Sequence, residues 1–279
     1  MAIGDLTRIN TNIAAFNALN SLRTIGNQLS TAQLRLQTGK RINEAADDPA
    51  GFSIGSKLTS RARGLATALD SVGTTMNLLS IAEGAAQSIH DNLLSIQDLV
   101  RQATSSNLGT SERTAIEAQI DNLSAEVTRL RDATTFNGVK LIDGSFTGKR
   151  VLTGTEAGDT ILASISQDFS LVSLGIADAS VEVDTVANAS LALTYVDAAL
   201  VSVRLEIQNI GSVSSRLRSV ADNLAVAVTN TEAAKSRVMD ADVAAEQVNA
   251  VRLQILQQLA TAQLTQANSG PQQVLALFR

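Results

Sequence analysis

Asp47-Asp48, His90, Tyr195 and the glycines Gly144, Gly148, Gly154 and Gly158 are the residues of this 279-residue chain with the strongest claim to chemistry. Paired carboxylates can hold a divalent ion or share acid–base work, but Pro49 follows this pair. Asp48 then suits the cap of a helix whose first position is Pro49, and Asp47 adds a favourable charge at that end. His90 and Tyr195 are the single histidine and the single tyrosine, and both fall inside helical patterns where packing is the default role. One histidine rules out a two-histidine metal motif. The lack of cysteine rules out disulfides and thiolate metal sites. No Lys-Ser/Thr follows the glycines to complete a phosphate loop. No enzyme, cofactor or metal site is expected.

Composition narrows the class further. Aromatics are 3% of residues and Trp is absent, so Ala, Leu, Ile and Val must fill the core, which suits helix seams. Only Pro49 and Pro271 interrupt. A net charge of −5, without a basic run carrying aromatics, argues against nucleic acid. The start, MAIGDLTRIN, lacks the basic head, apolar run and cleavage site of a secretory signal. No stretch is expected to reach transmembrane hydrophobicity, and neither an anchor nor a basic face favours a membrane surface.

The elements that would position any site are helices. Ile9, Ile13, Phe16, Leu19, Leu22, Ile25, Leu29, Ala32 and Leu36 form one stripe, which Gly39 closes. A long helix from Pro49 to about Ala103 carries a seam through Leu65, Leu69, Val72, Met76, Leu79 and Ala82 to Leu93, Ile96 and Val100. Its steps alternate four and three, apart from a doubled three at Met76–Leu79–Ala82. At ~1.5 Å per residue it would be about 80 Å long. A shorter helix from Thr110 or Ser111 presents Ile116, Ile120, Leu123, Val127 and Leu130, and folds back on it. From about 136 to 184 turn signals and short strands give a β-rich patch. A returning helix has a sustained heptad through Leu200, Val203, Ile207, Ile210 and Leu217. From Leu253 to Phe278 there is no charged residue, yet glutamine recurs, and Gly270-Pro271 is expected to interrupt or kink this last helix.

The fold class is therefore mainly α: a long antiparallel coiled-coil helix rod with paired N- and C-terminal helices and a small β-hairpin region. The ends are too polar to span a bilayer and too apolar to be solvated tails, so they suggest a self-assembling subunit. Their expected polymerisation core is Ile9, Ile13, Phe16, Leu22, Leu29, Val248, Val251, Ile255, Leu259, Leu275, Leu277 and Phe278. Burial against neighbouring copies is expected to order them.

With these residues laid out, the chain resembles the bacterial flagellins over nearly its whole length. The carrying motifs are Ile9-Asn10-Thr11-Asn12, Arg41-Ile42-Asn43 followed by Ala46-Asp47-Asp48-Pro49-Ala50-Gly51, Phe136-Asn137-Gly138, Asp240-Ala241-Asp242, and Gln263 to Arg279. The resemblance implies that 1–43 and 236–279 pair as the inner core of a tubular filament, with 44–235 as a surrounding rod. Large outer domains are missing, since Leu174-Gly175-Ile176 leads almost directly into the returning helix. It implies an extracellular flagellar location, type III export without a cleaved signal, and swimming motility. The implied partners are other copies, an export chaperone at the C-terminal helix, a filament cap and hook–filament junction proteins. A hook–filament junction protein is the alternative function. In many flagellins an Arg on the long helix and a Glu on the next face the vertebrate flagellin receptor. In this chain Leu94 and Leu99 flank Ser95, which replaces the Arg, and Gln119 stands where the Glu is expected. Weak receptor recognition follows from the lost charge-assisted bonds.

Overall fold

The computed structural model describes residues 11–156, 158–177 and 181–276, with side chains as far as Ser269. The elements in order are α1 (Ile13–Thr38), α2 (Pro49–Ala103), α3 (Thr110–Ala133), β1 (Thr135–Phe136), β2 (Val139–Lys140), β3 (Lys149–Leu152), β4 (Thr160–Ala163), α4 (Val186–Met239) and α5 (Val243–Ala276). They fall into two compact units, Met1–Ser60 with Asn230–Arg279, and Arg61–Thr229. Both α2 and α4 contribute to each.

In the first unit α1 and α5 pair antiparallel. Asn12 caps α1 by accepting from the Ala15 N–H, while its amide donates to the Ala267 carbonyl at 2.7 Å. Leu29 and Ala32 meet Ala250 and Leu253 along the seam, with Ile25, Leu36 and Leu256 half-buried beside them. Gly39 ends α1 in the left-handed conformation, with its N–H on the Arg35 carbonyl at 2.8 Å. The helix α5 continues through Gly270-Pro271 to Ala276, contrary to the interruption expected there. Proline removes one backbone donor, and the turns on either side keep their own bonds.

The second unit has one continuous core. Its helical part is the seam Leu65, Val72, Leu79, Leu93, Ile96 and Val100 of α2, Ile116, Ile120 and Val127 of α3, and Val196, Leu200, Val203, Ile210 and Leu217 of α4, all buried. Leu69 and Ile207 are half-buried against it. Ala68, Ala82, Ala86, Ala103, Ala189, Ala192 and Ala199 are also in this core. The doubled three-step at Leu79 leaves the helix unbroken, because Leu79 and Ala82 both stay buried. Arg113 is buried and donates to the carbonyls of Ala103 and Ser105, closing the C-terminus of α2 where no glycine cap exists. That contact lays α3 back along α2.

The β region belongs to the same core. In the first hairpin Phe136 pairs with Val139 across Asn137-Gly138, whose φ values of 50° and 78° fit a two-residue hairpin turn. In the second, Lys149–Leu152 pairs with Thr160–Ala163, turning Val151, Ile161 and Ala163 inward. Leu141, Ile142, Phe146, Ile165, Phe169, Leu174 and Ile176 are buried with the helix seam. Two carboxylates tie the loops down. Asp168 accepts from Arg131 Nε at 2.9 Å and from the Ser170 N–H and hydroxyl, and buried Glu206 accepts from the Ser166 N–H.

One expectation fails in α4. An 18-residue window there reaches a mean hydropathy of 1.5, so by length and composition this helix could cross a membrane. The cause is apolar residues on two faces: Ala192, Val196, Ala199 and Val203 enter the seam, while Leu191, Val201 and Leu205 lie outside it, exposed. Tyr195 is exposed with them rather than packed.

Burial raises the Asp168 carboxyl, but the Ser170 bonds and the Arg131 guanidinium outweigh it and hold the group below the usual carboxylate range. The Ser145 hydroxyl and N–H lower Asp143 in the same way. A depressed folded-state value stabilises above the unfolded value of about 3.9, and that stability is lost as pH falls through the folded value. Thermal unfolding followed by circular dichroism should therefore be flat from about pH 7 to 5 and drop below about pH 4. Asp168→Asn should be less stable at neutral pH and lose less on acidification.

Candidate assembly surface

The helix-start motif is a knot of backbone and side-chain bonds joining the α1–α2 turn to the α4–α5 turn. Asp48 accepts the Gly51 N–H at 2.9 Å, capping α2 as its position before Pro49 predicts. Asp47 accepts the N–H groups of Asn43 and Glu44, which hold its carboxyl below the ordinary range, and Arg35 adds to that effect. The Asn43 amide donates to the Lys40 carbonyl. Arg41 donates from Nη2 to the Val238 carbonyl at 2.8 Å and lies 3.8 Å from Asp48. Its N–H reaches the Met239 carbonyl, and the Ala241 N–H reaches the Gly39 carbonyl. Ile42 is fully buried under this knot. Asp242 caps α5, accepting from the N–H groups of Ala244 and Ala245. No residue of the motif is arranged as a reaction centre; each fixes how one helix leaves another.

This knot sets the face that α1 and α5 present. Of the expected polymerisation core, Leu29 is buried in the α1–α5 seam and Leu22 is half-buried. Ile13 and Phe16 on α1 are exposed, the latter at 60%. Val248 at 70%, Val251 at 47%, Ile255 at 59% and Leu259 at 53% lie on α5 outside the seam. Leu275 lies in the helix with its side chain outside the described residues, as are Ile9, Leu277 and Phe278 altogether. Steps of three and four from Val248 to Leu259 place these four side chains on one stripe. The sequence reading missed the inner stripe of Ala250, Leu253, Leu256 and Ala260, whose steps of three, three and four are nearly the same.

The altered receptor patch is in the second unit. Leu94 and Ser95 are exposed on α2, the Ser95 hydroxyl donating to the Asp91 carbonyl, whereas Leu99 is half-buried against the core. Gln119 is exposed on α3. Because Arg113 meets Ala103, Gln119 lies within about one helical turn of the level of Ser95. Nearby, the Gln97 amide donates to Asp197 of the returning α4. His90, beside the seam, is half-buried, and its Nδ1 is enclosed without a partner.

Paired end helices with an exposed apolar stripe, in a chain that also has long coiled-coil helices, define a helical self-assembling subunit. Comparison with known proteins makes this specific. Residues 9–147 match the bacterial flagellin N-terminal helical region, and residues 193–278 match the bacterial flagellin C-terminal helical region. A flagellin of Bacillus subtilis is 34% identical over 308 aligned positions, covering 98% of this chain and 100% of the relative. One from Halalkalibacterium halodurans is 32% identical over 272 positions, covering 97% and 99%. The chain belongs to the bacterial flagellins, the structural subunits of the flagellar filament, and it is a short form. A solved structure from Vibrio parahaemolyticus, provisionally described as a flagellar hook-associated protein, shares the fold alone. Its TM-score is 0.58 at 14% identity, covering 70% of this chain and 100% of that one.

The cap gives a direct test of the knot. Asp48→Ala should cost roughly 1 kcal/mol in thermal or urea unfolding, whereas Asp48→Asn, which caps equally well, should be near neutral. The exposed Arg41–Asp48 ion pair adds little to either value.

Proposed function

We propose that the exposed stripe of α5, with Ile13 and Phe16 of α1, is the contact surface through which copies of this chain build the filament. The supporting observation is α5, uncharged from Leu253 onward, whose inner stripe packs on α1 while Val248, Val251, Ile255 and Leu259 remain in water. Heterologous contacts between such faces repeat to give an open helical tube. In this reading 1–43 and 236–279 form the inner core, and 44–235 form the rod around it. The two helices alone bury few large side chains against each other, and isolated helices are marginal in water, so neighbours supply much of their stability. The role is mechanical rather than catalytic.

Further partners follow from the family. An export chaperone would bind the C-terminal helix before assembly, shielding the stripe that later faces other subunits. A filament cap and hook–filament junction proteins would meet the growing end and the base. Export would use no cleaved signal. Ser95 and Gln119 remove an arginine and a carboxylate from the face read by the vertebrate flagellin receptor. In a receptor reporter assay, purified monomer should signal far below a flagellin carrying both charges; Ser95→Arg with Gln119→Glu should restore part of the response.

The assembly surface is tested by Val251→Asp and Ile255→Asp in the full chain. An unpaired charge buried in a subunit contact should raise the polymerisation threshold on the order of 100-fold or more, while leaving monomer melting unchanged. Normal filament yield from either variant would refute the surface.

A further inference from the structure

Between α1 and α5 lies a polar groove of about 460 Å³, lined chiefly by Asn27, Gln28, Thr31, Arg35, Glu246 and Asn249. Its charged groups form loose ion pairs without hydrogen bonds. Arg35 Nη1 is 3.9 Å from Glu246 Oε1, and Arg35 Nη2 is 3.7 Å from Asp47 Oδ1, both too long for a hydrogen bond. Arg35 Nε and Glu246 Oε1 are enclosed and have no hydrogen-bond partner. A donor and an acceptor left unpaired in this way are costly, and their cost falls if another group satisfies both.

The chemistry that satisfies both is a carboxamide, whose carbonyl accepts and whose NH2 donates. A charged occupant fits less well. The groove already holds one cation near two carboxylates, so either sign would meet a like charge. The chain itself is rich in the matching group. From Leu253 to Ala276 α5 has no charged residue, and Gln254, Gln258, Gln263 and Gln266 are exposed on it.

We propose that this groove receives a glutamine side chain from α5 of a second copy of the chain, its carbonyl accepting from Arg35 and its NH2 donating to Glu246. The Arg35 and Glu246 side chains keep 28% and 16% of their surface exposed, which leaves part of each reachable from the groove. The inference rests on the filament reading and adds to it a polar register mark beside the apolar stripe. Apolar contacts tolerate sliding; a donor–acceptor pair does not, so it fixes which residue of the neighbour sits at this level.

The test is the polymerisation threshold of the full chain, measured by sedimentation. Arg35→Met should raise it about 10-fold, the worth of a charge-assisted bond. Among Gln254→Ala, Gln258→Ala, Gln263→Ala and Gln266→Ala, one should do the same. That variant combined with Arg35→Met should add little further, because both remove one interaction. If Arg35→Met also lowers monomer melting, this non-additivity remains the deciding readout. Wild-type thresholds for all four glutamine variants, or effects that multiply independently with Arg35→Met, would overturn the proposal. Wild-type protein that never polymerises would instead count against the filament reading itself.

Discussion

Among the described residues, α5 has two apolar faces and one helix, α1, packed along it. α1 covers the face of Ala250 and Leu253, and the opposite stripe from Val248 to Leu259 remains exposed. A helix apolar on both sides is ordinarily buried on both sides. The rest of the first unit serves this imbalance. The Arg41–Asp48 knot and the caps at Asn12, Asp48 and Asp242 fix the directions of four helix ends, so the exposed stripe is presented in one orientation. Specific assembly needs both parts: an uncovered apolar face for affinity and a rigid frame for direction.

The second unit meets a different demand. In a chain with only 3% aromatic residues, its helix seams are filled chiefly by alanine, leucine, isoleucine and valine. Its β region is not an appendage, because Phe146, Ile165 and Phe169 complete the same core that holds α2, α3 and α4. Asp168 and Glu206 then fasten the loops to α3 and α4 through Arg131 and the Ser166 N–H. Seam and loops share one set of buried side chains, so a change in one is transmitted to the other.

Much of this fold was legible in the sequence. The heptad of α4, the Asp48-Pro49 start, the Gly39 stop and the Asn137-Gly138 turn each carry a local mechanism, and each lies where that mechanism puts it. The face of α5 was not legible. Val248-Val251-Ile255-Leu259 and Ala250-Leu253-Leu256-Ala260 have nearly the same spacing, so periodicity cannot say which stripe turns to α1. The packing that decides it involves Leu29 and Ala32 of α1, more than 200 residues away in sequence. The same ambiguity in α4 hid its membrane-like hydropathy, because its outward Leu191, Val201 and Leu205 lie off the heptad. The Arg113 cap and the Arg35–Glu246 groove depend on residues distant in sequence or on opposite helices, and no local pattern marks them.

The account turns on whether other copies cover the outward stripe of α5. Amide hydrogen exchange over 248–259, compared between monomer and assembled filament, reads this most directly, since protection reports local opening. Markedly slower exchange in the filament, with little change along the buried seam at Leu93–Val100, is the predicted result. Equal exchange in the two states would contradict it.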